Sequence, residues 1–322
     1  MVAILRRSVT GVRVGARPLV VSVIAMADVP LSRLERLAVR FAEISNEDPR
    51  GKWLQTQWLR GVSYVWVRAA LANRMLAEGI EDLMALRPEA GVMLVSNHRS
   101  FFDQYAMLLA CYMGPVHWAK RLFFPVRANF FYDQPLGIFV NAAVAGGAMY
   151  PPIYRQAERR ALNDEALDKM VEILRTPGNV LGMHPEGTRG KGPDPYTFLP
   201  AQPGVGKVAL LGKPMVIPAF IHGLGNNIVE DIRWNFTKDA RRAHAVITVF
   251  GDPLDYSDLC AEKPRPTLYK KCADRFMAAL APLKERERAI RAELARGEID
   301  DADPRWLTNR PISKLYAREG QL

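Results

Sequence analysis

Apolar positions along the chain keep one spacing over its first third and another afterwards. From about residue 30 to 85 they recur at helical intervals; from residue 91 onward brief apolar runs alternate with helix-like segments. In the first zone Leu54, Trp58, Val62, Val65 and Ala69 share one face with Arg60 opposite. That pattern fits a helix packed on the domain by the stripe, or an amphipathic helix lying in a membrane interface with its indoles at headgroup depth. In the second zone residues 91–96 (GVMLVS) read as a buried strand between Pro88 and Asn97, 116–120 as a weaker one, and 179–184, 215–221 and 244–250 as three more. Residues 163–175 predict a helix capped by Asn163, with Asp164 and Glu165 in its first turn, an apolar stripe of Ala166, Leu167, Met170, Val171 and Leu174, and a stop at Pro177-Gly178. A shorter helix over 204–211 ends at Gly212. Residues 266–297 predict a charge-rich helix appended to the domain, carrying Leu268, Cys272, Phe276, Leu280 and Leu283 on one side. Such alternation predicts an α/β fold: a mostly parallel central sheet flanked by helices, with an N-terminal helical segment and a C-terminal helix. The chain divides accordingly into an extension or targeting segment (1–27), an amphipathic helical region (28–88), the α/β domain (89–262), and a helix with a tail (263–322).

A length of 322 residues, 49% apolar and 24% charged, bounds the protein to one large or two ordinary globular domains. It excludes a disordered chain, a collagen-like repeat and a disulfide-stapled miniature. The net charge of +10 favours anionic partners. The basic residues are scattered without a helix-turn-helix or RNA-binding signature, so no nucleic-acid partner is expected. Cys111, Cys260 and Cys272 are widely spaced and read as buried free thiols, which suits a reducing compartment. Residues 1–27 contain Arg6, Arg7, Arg13 and Arg17, no acid, and a short apolar run at 19–27. They are open to three readings: a secretory signal, an organellar transit peptide, or an extension upstream of a start at Met26. No later window has the ~18 uncharged apolar residues of a spanning helix. The stretch 123–149 is interrupted by Arg127, Asp133, Pro135, Gly137, Gly146 and Gly147, and reads as short helices or loops around an apolar groove. Phe123, Phe124, Phe130, Phe131 and Tyr132 are its candidate lining, or plain core.

Chemistry concentrates in two places. Asn97-His98-Arg99-Ser100-Phe101-Phe102-Asp103 follows the strand at 91–96, at the end where open α/β sheets place ligands. On one continuous helix His98 and Asp103 would diverge by ~140°. With His98 in the loop and Asp103 in the first helical turn, the carboxylate reaches back, fixes the imidazole tautomer and leaves the other nitrogen as a general base. Ser100-x-x-Asp103 reads equally as a capping box that serves only the helix. The second place is His184-Pro185-Glu186-Gly187-Thr188-Arg189-Gly190, again after a strand. This is either a solvated surface turn or a glycine-bearing anion site with a hydroxyl and a guanidinium fork. Both lie at strand ends of one sheet, so the expectation is a shared cleft.

Asn97-His98-x4-Asp103 followed by Pro185-Glu186-Gly187-Thr188-Arg189 resembles the glycerolipid acyltransferases, the lysophosphatidate acyltransferase (PlsC-like) superfamily. Val216-Ile217-Pro218 after Lys213-Pro214 resembles that family's later apolar strand, and the likeness covers about residues 90–222. The resemblance implies transfer of an acyl group from a thioester of coenzyme A or acyl carrier protein to a lysophospholipid hydroxyl, foremost 1-acylglycerol-3-phosphate. HExxH, the P-loop and the dinucleotide GxGxxG are absent, so no metal or further cofactor is expected, and the expected location is peripheral, on the cytoplasmic side of a membrane. His98 would be the base and Asp103 its partner, with Asn97, Glu186, Gly187, Thr188 and Arg189 at the phosphate and glycerol end of the acceptor. The family's intervening block is poorly matched: within 147–155 it gives Arg155 as a phosphate ligand, with Arg159 or Arg160 as substitutes, and Lys120 as another cation. His184 stands where the family commonly has an apolar or aromatic residue and Gly190 where it often has Ser. These departures leave glycerol-3-phosphate, another lysolipid or an amino-acid lipid open as acceptor. A non-catalytic, membrane-associated lipid-binding protein is the competing class, and intact His98 and Asp103 stand against it. G-x-S-x-G is absent and the cysteines lie away from both motifs, which favours direct transfer over an acyl-enzyme.

Overall fold

The structure, a computed structural model, describes residues 31–113, 116–154 and 156–310. Helix α1 (Arg33–Glu47) opens on a reciprocal capping box, Ser32 Oγ accepting the Glu35 N–H and the Glu35 carboxylate accepting the Ser32 N–H. Asp48 caps α2 (Pro49–Trp58) through the N–H groups of Arg50 and Gly51. A π-helical stretch at Leu59–Ser63 then leads into α3 (Tyr64–Leu71). There follow β1 (Met75–Glu78), α4 (Ile80–Ala85), β2 (Val92–Ser96), α5 (Asp103–Met113), β3 (Arg121–Phe123) and β4 (Val126–Arg127). The chain continues through α6 (Ala128–Phe131), α7 (Pro135–Phe139), β5 (Pro152–Ile153), α8 (Arg160–Ile173), β6 (Asn179–Met183), α9 (Pro203–Gly212) and β7 (Met215–His222). It closes with α10 (Ile228–Asn235), α11 (Ala240–Ala243), β8 (Val246–Phe250), α12 (Ser257–Cys260) and α13 (Pro266–Arg296).

The main sheet has the order β1-β8-β7-β2-β6-β3, parallel throughout except where β8 runs against β7. Every residue of β2 is buried, as expected of a central strand covered on both faces. Its alternation sorts the core: Val92 and Leu94 pack with Leu71, Ala106 and Ala110 of α3 and α5. Met93 and Val95 face Met170, Val205, Val208 and Phe276 of α8, α9 and α13. Helix α13 is therefore one wall of the sheet. Gly206 of α9 lets the two helices meet, because a Cβ there would stand 2.0 Å from the Tyr269 carbonyl oxygen.

The mostly parallel α/β sheet, the N-terminal helices and the long C-terminal helix agree with the sequence pattern. Four details do not. Residues 75–78 (MLAE) are strong helix formers inside a helical zone, yet they pair with β8 as the edge strand β1. The strand expected at 116–120 is a turn; the ladder begins at Arg121. Helix α8 starts at Arg160, because Asn163 does not cap it but binds the backbone N–H and C=O of Tyr154. Part of the expected tail is ordered against the sheet: Trp306 is buried and bridges Leu76, and Arg310 reaches Glu81. Of the thiols, Cys111 and Cys272 are buried and Cys260 half-buried, all free. Residues 1–27 lie outside the described residues.

Candidate active site

Where the chain leaves β2, the Asn97 amide pins it to β7: Nδ2 donates to the Ile221 carbonyl at 2.8 Å and Oδ1 accepts the Ile221 N–H at 2.9 Å. The chain then crosses to α5 around one carboxylate oxygen. Asp103 Oδ2 accepts the N–H of Arg99 at 2.8 Å, the N–H of Ser100 at 2.9 Å and Nδ1 of His98 at 3.0 Å. A carboxylate only accepts, so the imidazole hydrogen is on Nδ1 and Nε2 carries the lone pair. The Ser100 N–H to Asp103 contact is half of the capping box; the other half is missing, because Ser100 Oγ takes the Phe102 N–H and donates to the Gly225 carbonyl. The contact to the imidazole and the half capping box fall on the same oxygen.

The turn after β6 is fastened to this loop. Buried Glu186 accepts the His98 N–H on Oε1 and the Leu199 N–H on Oε2, each at 2.9 Å, and the Gly190 N–H donates to the His98 carbonyl at 2.8 Å. Gly187 has φ +63°, where a side chain would be strained and would also meet Gln202. At Gly190 a Cβ would come within 2.7 Å of the Arg99 guanidinium, which passes it to reach the Gly192 carbonyl. The guanidinium is the far end of a flexible side chain, so a larger residue here would require it to shift.

A cleft of about 650 Å³ opens at these strand ends. His98 and His184 line it, their rings stacked with centroids 3.9 Å apart and planes within 4°. Arg127, Arg189 and Lys191 stand on its walls, Arg189 lying 3.5 Å over the Phe101 ring and donating to Asn226 at 2.7 Å. Phe130, Phe131, Met149, Met170, Met183 and Val205 make an apolar lining. Burial, helped by the Arg189 and Arg127 charges, lowers the His98 pKa from 6.5 to about 3, so the ring is neutral. Burial lifts Asp103 from 3.8 to about 6, with His184 and then the Ser100 and Arg99 N–H groups pulling the other way, so it is still an anion at neutral pH.

The structure brings together His98, Asp103, Gly187, Thr188 and Arg189, with Asp103 just behind the cleft and the others on it. Asn97 and Glu186, expected at the acceptor, are absent from the cleft wall. Their polar atoms are taken up by β7 and by the two loops, so they position the site. Lys120 does not belong to the site: it is exposed beside Gly178, at the opposite end of the parallel strands. Arg155 lies outside the described residues. Its first substitute, Arg159, is paired with Glu35 at 2.6 Å, and the second, Arg160, is exposed at the start of α8. Of the proposed groove aromatics Phe130 and Phe131 line the cleft; Phe123, Phe124 and Tyr132 are core. Arg127 and Lys191 were not picked out as site residues. Lys191 directly follows the second motif, whereas Arg127 is recognisable only once β4 is placed beside Gly187, whose carbonyl it contacts at 3.2 Å.

Residues 77–222, from within β1 to the end of β7, match the family model described as Acyltransferase. No curated protein matches the sequence. Among solved structures the chain is similar to the crystal structure of the 1-acyl-sn-glycerophosphate (LPA) acyltransferase, PlsC, from Thermotoga maritima. The two share 16% identity with a TM-score of 0.45, over 76% of this chain and 88% of that one. The matched segment holds both motifs and the strands that carry them, so residues 77–222 are similar to the acyltransferase family.

Proposed function

We propose that the protein is an O-acyltransferase that moves a fatty acyl group from a thioester of coenzyme A or acyl carrier protein to the hydroxyl of a lysophospholipid of the 1-acylglycerol-3-phosphate kind. The observation that carries this reading is a neutral imidazole, held by a buried carboxylate, in a cleft with cationic walls and an apolar lining. Arg127, Arg189 and Lys191 suit the acceptor phosphate, and the Phe130–Phe131 side suits acyl chains. His98 Nε2 takes the proton of the acceptor hydroxyl as its oxygen attacks the thioester carbonyl carbon. Collapse of the tetrahedral intermediate breaks the carbon–sulfur bond, and the departing thiolate takes the proton back from the imidazolium. Asp103 orients the ring and stabilises its cationic form throughout.

The acceptor is membrane lipid, and α1 to α3 are built for a bilayer surface. They bury Ala38, Val39, Ala42, Val67, Ala70 and Leu71 against the domain, yet also bury polar residues and leave large apolar ones outside. Asn46, Lys52, Gln55, Thr56 and Ser63 are buried, while Leu37 (68%), Trp53 (61%), Leu54 (62%) and Val65 (65%) are exposed. Of the stripe read from the sequence, Leu54, Trp58, Val62 and Val65 thus face outward, which argues against packing on the domain. Phe41 of α1 and Trp58 of α2 flank the same Gly146-Gly147 turn, beyond which α7 exposes Leu136 and Phe139. No described helix is long and apolar enough to cross a membrane, so the fitting arrangement is interfacial.

His98→Ala should lower transfer of a radiolabelled acyl group from thioester to lysophosphatidate ~10²–10⁴-fold with folding intact; a loss under tenfold would contradict the base assignment, and no turnover by the parent protein would leave a lipid-binding protein. Arg189→Ala should raise the acceptor KM at least ~10-fold with a smaller effect on kcat, and an unchanged KM would remove the phosphate role. As pH falls, kcat/KM should drop through an apparent midpoint near 6 as Asp103 gains a proton, a limb that Asp103→Asn should lack; a flat profile from 7 to 4 would oppose it. Trp53→Glu combined with Leu54→Glu should weaken partition onto anionic vesicles at least ~10-fold in co-sedimentation, both residues being exposed and outside the cleft; undiminished partition would rule that face out.

A further inference from the structure

The mechanism above gives His184 of the second motif no task. It stands at a position where the family commonly has an apolar or aromatic residue, and it is packed against the residue that carries the chemistry. Its ring lies parallel to that of His98, centroid to centroid at 3.9 Å. It is anchored from behind: Nδ1 is 3.1 Å from Ser96 Oγ and 3.2 Å from the Ser96 carbonyl oxygen. A carbonyl only accepts, so the hydrogen is on Nδ1 and the ring is the neutral tautomer with a bare Nε2. That Nε2 is buried and has no partner, so the nitrogen offers neither a proton nor a hydrogen bond to a ligand in the cleft. What His184 presents to the site is its face.

We infer that His184 is a positioning residue that holds the His98 ring in register with Asp103 and stabilises its protonated form through the stacked π face. A single hydrogen bond from Nδ1 to Asp103 leaves the imidazole free to swing about that contact. A flat ring 3.9 Å away, tied to the end of β2, removes the swing. When His98 takes the substrate proton, the positive charge develops directly against the face of a partly buried ring, where cation–π attraction exceeds that at an exposed site. The contact strengthens only as the proton moves, so it acts on kcat and not on acceptor binding.

This inference rests on His98 being the base, and the test separates the two. His184→Leu removes the flat face, His184→Gln removes it while keeping a hydrogen-bonding side chain for Ser96, and His184→Phe keeps the face without a nitrogen. Transfer assays on the full-length protein should show kcat down ~10-fold for the leucine and glutamine variants, acceptor KM within about twofold, and the phenylalanine variant within about threefold of the parent. Should the leucine variant melt before assay, the glutamine variant carries the same comparison. The inference is overturned if the phenylalanine variant falls as far as the others, if all three match the parent, or if the change lies in KM. A parent whose activity survives His98→Ala overturns the base assignment itself, whatever the His184 variants do.

Discussion

One oxygen atom organises the reactive end of this protein. Asp103 Oδ2 gathers two backbone N–H groups and an imidazole nitrogen within 3.0 Å, and in doing so turns the chain from β2 into α5. The folding task and the proposed chemical task fall on the same atom there. The carboxylate is buried beneath the loop it shapes, which keeps its charge close to His98 and makes the electrostatic coupling strong. A second buried carboxylate, Glu186, bridges the His98 and Leu199 amides, and together with the Gly190 N–H on the His98 carbonyl it joins the two motif loops.

That shared architecture explains what could be read in advance. The strands β2, β6 and β7 were legible because brief apolar runs bounded by Pro, Gly and Asn have few alternatives, and the pair His98 and Asp103 because their spacing makes sense only across a loop-to-helix junction. The roles of Asn97 and Glu186 were not legible. A motif residue that binds ligand and one that binds the backbone beside it leave the same trace in a sequence, and only the Ile221 and Leu199 contacts tell them apart. β1 was hidden because propensity in Met75–Glu78 favours helix while pairing with β8 decides the outcome. Lys120 was misplaced by a slip at the start of β3: a strand beginning at 121 instead of 116 puts its neighbouring cation at the far end of the sheet.

The N-terminal helices show a different limit of pattern reading. Periodicity finds an apolar stripe but not the side of the molecule it faces. Here the stripe points outward, and a lysine points in. Lys52 is buried with no carboxylate, its ammonium held by Asn46 Oδ1 at 3.0 Å, the Leu122 carbonyl at 2.8 Å and the Phe123 ring at 3.4 Å. Burial without a counter-charge pulls its pKa well down. Such an arrangement ties α2 to the start of the cleft-forming segment through polar contacts, leaving the oily residues for whatever lies outside.

The edge of the sheet carries a consequence for how the polypeptide is made. β1 is completed by groups far along the chain: the Ala77 N–H donates to the Arg305 carbonyl at 2.9 Å, Leu76 bridges Trp306, and Glu78 is gripped by Arg286 and Arg305. During synthesis the α1–α3 helices and β2 emerge while that strand still has neither neighbour, and an unpaired strand edge is adhesive. The ladder partner β8 begins only at Val246, so residues 75–78 stay without a strand neighbour until that distant stretch of the chain has been made.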